Sequence, residues 1–301
     1  MRTTPPTAHP LQGIALLVTA LACFVVLDSS VKYVSAVISV LIAVWFRYLF
    51  QALVMGAVLL PLRGRALLRT ASVRLQVLRG GLLLTVSVLN FIALSYMPMA
   101  EFTAIVMLTP LMVTLLAAVF LKEQVGPLRW LLVAGGFAGA LLIVQPTAGS
   151  VGWATGLPLI MVVVYAVFQI LTSRMARTED PMTMHLYTGW VGALGMSAVM
   201  PLVWQAIPDL HTWLLLALIG LMGTVGHFLL ILAFARAPAS TLTPFSYCQI
   251  AFAMLAGWWV FDHVPGQAAM AGIGLILVCG ASAAWLTSRQ HRLPLAPRPA
   301  A

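Results

Sequence analysis

Residues Arg63-Gly-Arg-Ala-Leu-Leu-Arg-Thr-Ala-Ser-Val-Arg74 separate two long apolar stretches, and arginine recurs four times within them. At the corresponding place in the second half of the chain stands Gln205-Ala-Ile-Pro-Asp-Leu-His-Thr212, which holds neither Lys nor Arg. That contrast has a physical meaning only if the chain crosses a membrane repeatedly and its two halves enter in opposite senses. The rest of the sequence bears on both conditions.

Of the 301 residues, 62% are hydrophobic and 8% charged. So little polar surface cannot cover a domain in water, so the solvent is lipid. A bilayer core of about 30 Å takes roughly 20 apolar helical residues. Stretches of that kind lie at about 11–34, 39–61, 75–96, 99–121, 127–145, 153–174, 183–205, 212–235, 239–261 and 267–287. The segments lack period-2 alternation and are roughly twice as long as a barrel strand. The fold class predicted is therefore an all-α polytopic membrane protein with ten transmembrane helices. Ala20-Leu-Ala22 followed by Cys23 imitates a leader cleavage site, but the apolar run continues past it, so it reads as the first helix. Cys23, Cys248 and Cys279 fall singly in different helices and read as small apolar residues.

With the N-terminus in the cytoplasm, that side holds Arg2, Arg63, Arg65, Arg69, Arg74, Arg79, Lys122, Arg129, Arg174, Arg177, Arg236, Arg289, Arg292 and Arg298. The other side keeps Lys32, and Arg47 lies within the second helix. Lys and Arg resist translocation, so both termini are expected in the cytoplasm of a bacterial-type inner membrane. The net charge of +9 then reflects topology and contact with anionic lipid, with no nucleic-acid partner implied.

Shifting the chain by 140 residues superposes Gly80 on Gly220, Leu89 on Leu229, Ala93 on Ala233, Pro98 on Pro238, Thr103 on Thr243, Leu115 on Leu255 and Gly126 on Gly266. The proline pair falls in corresponding turns. Each half has five helices, an odd number, so tandem copies must cross in opposite orientations, and the loop charges reverse accordingly. The organisation expected is two inverted five-helix repeats, 11–145 and 151–287, followed by a cytoplasmic tail, 288–301. Transporters built this way hold substrate near the midplane between the repeats.

Two stretches carry a family resemblance: Ala93-Leu-Ser-Tyr-Met-Pro98-Met-Ala-Glu101 through Phe120-Leu-Lys-Glu123, and Ala233-Phe-Ala-Arg-Ala-Pro238-Ala239 through Val260-Phe-Asp-His263. They resemble the repeat unit of the EamA family of the drug/metabolite transporter superfamily. Asp28-Ser-Ser-Val-Lys32, Phe46-Arg-Tyr48 and Pro244-Phe-Ser-Tyr-Cys-Gln249 resemble the branch of bacterial S-adenosylmethionine and riboflavin uptake carriers. Asp262-His263 stands where the family pattern has Gly-Glu. The resemblance implies a central cavity inside helices 1–4 and 6–9, with helices 5 and 10 peripheral. Those two carry small residues at i, i+4, Gly135 with Gly139 and Gly280 with Ala284, which suits either intramolecular packing or a homodimer face.

Ionisable groups inside hydrocarbon need a partner or a wet cavity and are functional candidates by default. Asp28 and Arg47 lie at similar predicted depths, which predicts an ion pair shared with Lys32 one turn above Asp28. The pair either locks helices 1 and 2 or couples substrate binding to the conformational change. Glu101 opens helix 4 as a charge facing the helix dipole, or as a gate contact to Lys32. His185 and His227 are candidate titrating groups. Asn90, Thr109, Tyr165, Gln169, Tyr187, Trp190, Tyr247 and Gln249 complete the predicted substrate cavity, supplying hydrogen bonds and ring faces. Trp45, Trp153, Trp213 and Trp285 are expected at the membrane interface, and Pro110 and Pro244 are expected to bend helices 4 and 9.

No metalloprotease, nucleophile-elbow, nucleotide-loop or Cys/His motif occurs, so neither an enzyme nor a cofactor is expected. The function predicted is a secondary carrier moving a small organic metabolite, amino-acid-like, an amine or a heterocycle, by alternating access. A passive channel is the alternative.

Overall fold

The computed structural model describes residues 10–120, 126–144, 156–175, 178–237, 242 and 245–292. Helix is the regular structure throughout them. In lipid, every backbone N–H and C=O must be satisfied within its own segment, and apolar helices do that. The order is α1 (Pro10–Val34), α2 (Val40–Val54), a π-turn (Met55–Leu59), α3 (Leu60–Arg63), a 3₁₀ turn (Gly64–Leu68), α4 (Val73–Tyr96), α5 (Met99–Val106) and α6 (Thr109–Phe120). Then come α7 (Pro127–Val144), α8 (Leu157–Met175), α9 (Pro181–Val203), α10 (Leu210–Arg236), α11 (Cys248–Phe261) and α12 (Gln267–Arg292).

Among the described residues, five helical stretches are long and apolar enough to cross a membrane: Leu11–Val34, Val40–Arg63, Val73–Tyr96, Pro181–Val203 and Leu210–Ala233. Five further apolar stretches are shorter: Met99–Val113, Trp130–Ile143, Leu157–Thr172, Cys248–Phe261 and Gln267–Ala283. One shortening has a clear cause. Pro110 has no N–H to give the Val106 carbonyl, so the Thr109 hydroxyl donates to that carbonyl instead, at 2.6 Å, and the chain turns at Met107-Leu108 between α5 and α6. Pro244 and Trp153 lie outside the described residues.

Side chains fix the helix starts. Ser39 accepts from Leu41 N, Ser72 from Leu75 N, Asp180 from Met182 N and Thr183 N, and Asp209 from Thr212 N. The Thr212 N–H also holds the exposed Asp209 carboxyl below its ordinary pKa. At the end of α11, Asp262 takes the left-handed conformation, φ 50°, and His263 N reaches back to Gly257 O at 3.0 Å. Aspartate tolerates that region better than most residues, which is how Asp262 serves where the family pattern has glycine.

The larger helix contacts come in pairs related by exchanging the halves. The packing of α1 on α10 answers to α8 on α4, α2 on α10 to α9 on α4, and α1 on α11 to α8 on α5 and α6. The contacts of α2 with α9, α5 with α11, and α7 with α12 each answer to themselves. Buried apolar residues form two main clusters. One, around Ile42, Tyr48, Ala193 and Ile219, joins α2, α9 and α10, and the other, around Phe102, Leu108, Val162 and Ile276, joins α5, α6, α8 and α12.

Where α7 crosses α12 the backbones touch. A Cβ on Gly139 would lie 2.8 Å from Gly272 O, and one on Gly135 would lie 2.6 Å from Cys279 Sγ. A Cβ on Gly280 would collide with the Tyr247 hydroxyl. These small residues are filled within the chain, the packing alternative set out above.

Candidate transport site

The polar side chains of α1, α2, α4, α8, α9 and α10 meet inside the bundle. Arg47 of α2, 3% exposed, donates through Nη1 to Ser87 Oγ of α4. The single Ser87 hydroxyl proton goes to Leu83 O at 2.8 Å. Tyr48 OH, 2.8 Å from Ser87 Oγ, must therefore donate as well. The other arm, Nη2, lies 3.4 Å from Nε2 of His227 on α10. His227 Nδ1 is 3.0 Å from Gly223 O, and a carbonyl only accepts, so Nδ1 carries the proton and Nε2 is left as the acceptor facing Arg47. Phe24 fixes the imidazole edge to face at 4.8 Å. Gly223 leaves the space: a Cβ there would stand 2.9 Å from Arg47 Nε, which is buried and has no hydrogen-bond partner among the described residues.

The predicted Asp28–Arg47 ion pair does not form. Asp28 Oδ1 instead accepts from Asn90 Nδ2 at 3.1 Å. The reason lies in register. Ser87 and Asn90 share one face of α4 at i, i+3, so the two charges sit about 4.5 Å apart along that helix rather than level. Lys32 does not join Asp28 or Glu101. Its ammonium donates to Leu94 O and Met97 O, at 3.1 and 2.8 Å, stabilising the C-terminal end of α4. Glu101 does lie in the first turn of α5, but its Oε1 meets His263 Nε2 at 2.9 Å and its other oxygen is buried without a partner. Beside this pair is a cavity of about 360 Å³ lined by Lys32, Ser95, Pro98, Phe261 and His263 among others.

A second arginine reaches the interior. Arg79 of α4, also 3% exposed, donates from Nε to Thr172 Oγ1 at 3.0 Å, and from Nη1 to Met184 O at 3.0 Å and Thr188 Oγ1 at 2.7 Å. Its guanidinium lies 5.1 Å from the Phe168 ring centre, and Phe168 stacks on Tyr165 at 5.9 Å with planes 12° apart. Gln169 lies close enough to Tyr165 to act on it, as the shared face of α8 at i, i+4 requires. Sequence reading counted Arg79 with the loop charges, although it stands a full turn inside the predicted helix 75–96; that depth was the available signal.

Gln51, missed in the sequence, donates from Nε2 to His185 O at 3.0 Å and lies 3.2 Å from His185 Nδ1. His185 is buried, and its Nε2 meets no hydrogen-bond criterion among the described residues, the Thr224 backbone lying nearby. Other expected cavity residues point elsewhere. Thr109 is spent on Val106. Tyr187 OH donates to Leu68 O at 3.0 Å near the Arg-rich end, and Trp190, 47% exposed, lies against Gly56. Tyr247 is buried against Gly280 with its hydroxyl unpartnered. Gln249 is half-buried and makes no hydrogen bond among the described residues.

Similarity to known proteins runs along the whole chain. It is 29% identical to a riboflavin transporter of Vibrio cholerae over 94% of this chain and 97% of that one. A riboflavin transporter of Rhizobium johnstonii is 33% identical, aligning over 61% of each chain. An S-adenosylmethionine uptake transporter of Rickettsia bellii is 25% identical over 83% of this chain and 85% of the other. One solved protein structure superposes with a TM-score of 0.64 at 20% identity, covering 94% of this chain and 98% of that one, which supports the fold. Residues 11–145 and 152–282 each match the EamA-like transporter family, whose repeat therefore occurs twice. The chain belongs to this family of multi-pass membrane proteins and is a transporter of small metabolites rather than an enzyme.

Proposed function

We propose that the chain is a secondary carrier for a flat, acceptor-rich heterocycle of the flavin type. It works by alternating access between two inverted five-helix units, 11–145 and 151–287, that cross an inner membrane ten times with both termini in the cytoplasm. One observation carries the substrate class: a guanidinium with an unspent buried N–H, Arg47 Nε, shares the polar core with the parallel rings of Tyr165 and Phe168. Ring faces accept a planar solute, and a buried donor selects carbonyl or ring-nitrogen acceptors on it. The riboflavin transporters among the relatives support the same class. A sulfonium or amine would meet Arg47 and Arg79 with Asp28 as the sole carboxylate among these core residues, which disfavours a cation.

Thermal unfolding of the purified protein tests this directly. A ligand at a hundred times its Kd stabilises the folded state by about 2.7 kcal/mol, so riboflavin is expected to raise the melting temperature and S-adenosylmethionine to leave it unmoved. The reverse result would refute the substrate class. In proteoliposomes, riboflavin on the trans side is expected to accelerate entry of labelled riboflavin. Indifference to trans substrate would make the protein a passive channel.

A further inference from the structure

The 140-residue shift makes a comparison possible between the two ends of the molecule. Residues 63–76 and 178–187 meet at the Arg-rich end. Their repeat equivalents, 203–216 and the segment from Ile38, meet at the other. The two seams are unequal. At the Arg-rich end, Glu179 gathers the opposite half: Oε2 accepts from Thr70 Oγ1 at 2.8 Å and from Gln76 Nε2 at 3.3 Å, and Oε1 accepts from Ala71 N at 2.9 Å. Beside it, Asp180 pairs with Arg63 at 3.3 Å, and Thr183 Oγ1 donates to Leu67 O at 2.9 Å. At the other end, Gln205 Nε2 donates to Val37 O at 3.3 Å, and the remaining contacts are apolar: Tyr33 with His211, Trp45 with Trp204 and Phe46 with Trp213 meet edge to face at 5.6, 6.0 and 5.3 Å.

A carboxylate accepting three hydrogen bonds from another segment ties it down through directional, charge-assisted bonds, whereas the opposite seam has one neutral bond and ring contacts. The Asp180–Arg63 pair adds little, because both side chains are about half exposed. We infer that Glu179 is the latch closing the Arg-rich end, so that the carrier rests sealed there and opens first at the Val37–Gln205 end. Glu179 touches no core polar residue and acts by positioning the two halves. The inference rests on the carrier reading above.

Hydrogen exchange followed by mass spectrometry, on the full chain in lipid nanodiscs, tests it. Glu179→Ala is expected to speed exchange across residues 63–76 at least about tenfold, the loss of one or more charge-assisted bonds. Because opening one end closes the other, exchange at 35–39 and 205–212 is expected to slow in the same variant. Thr70→Val, which removes one donor and leaves the carboxylate, is expected to shift both seams in the same directions by less, and it keeps the test open should Glu179→Ala not fold. Unchanged exchange at 63–76 in a folded variant would overturn the latch. Faster exchange there with no change at the opposite seam would also overturn it, reducing Glu179 to a local clamp. Absence of trans-acceleration in the wild-type protein would instead remove the carrier reading, a failure visible without any variant.

Discussion

Arg47 and Arg79 are equally buried, yet their surroundings differ in one respect: how many of their donors are already used. Arg79 spends Nε and Nη1 on three acceptors from α8 and α9, all at 3.0 Å or less. Arg47 has one firm bond, to Ser87, one long approach to His227, and an Nε with nothing to donate to. The guanidinium with more of its donors engaged ties helices together, whereas the one with a bare buried Nε keeps a donor for something that arrives. Burial alone would have ranked the two alike; the inventory of their N–H groups is what marks Arg47, and not Arg79, for the binding role proposed above.

The difference can be broken experimentally. Replacing Arg79 by Met leaves the Thr172 and Thr188 hydroxyls and the Met184 carbonyl without their donor, and is expected to destabilise the protein by about 3 kcal/mol, read as loss of thermal stability in detergent. Transport per folded molecule should then change little. Arg47→Lys keeps the charge but not the fork, and is expected to lower uptake at limiting substrate roughly tenfold while the melting temperature stays close to that of the wild type. A variant pair with these two outcomes exchanged would invert the assignment. Ser87→Ala removes the acceptor shared by Arg47 and Tyr48, and about 1 kcal/mol, or roughly fivefold in uptake, is expected. The smallest effect is expected from Asp28→Asn, because an amide still accepts from Asn90; uptake should change by less than about twofold, and a larger loss would give the Asp28 charge a share in coupling.

What the sequence disclosed follows from what lipid demands. Hydropathy located the helices, because a spanning segment must be apolar along its whole length, and Pro110 announced the break between α5 and α6 because it has no N–H to give. Partner identity was hidden. Counting residues from a helix end gives depth to within a turn, and one turn separates Ser87 from Asn90, which was enough to turn an expected ion pair into two separate hydrogen-bonded sites. Facing was hidden too. His185, Thr188 and Gly192 are buried on α9 while Trp190 is exposed on the same helix, and an evenly apolar helix carries no polar stripe to mark its orientation. His263, which in the sequence only departs from the family's Gly-Glu pattern, is the partner of Glu101, from a position 162 residues away that no local pattern connects.

The crossing of Gly139 and Gly272 has a mechanical corollary. Two helices whose main chains touch cannot slide or rotate against each other without a carbonyl striking a Cα, so α7 and α12 must travel as one body in any rearrangement. They bind the first repeat to the second at the margin of the bundle, so any relative displacement of the repeats falls to the helices that carry Asp28, Arg47, Arg79, His185 and His227. A single methyl at either glycine would pry that junction apart, and its damage would be to the fulcrum rather than to the substrate contacts.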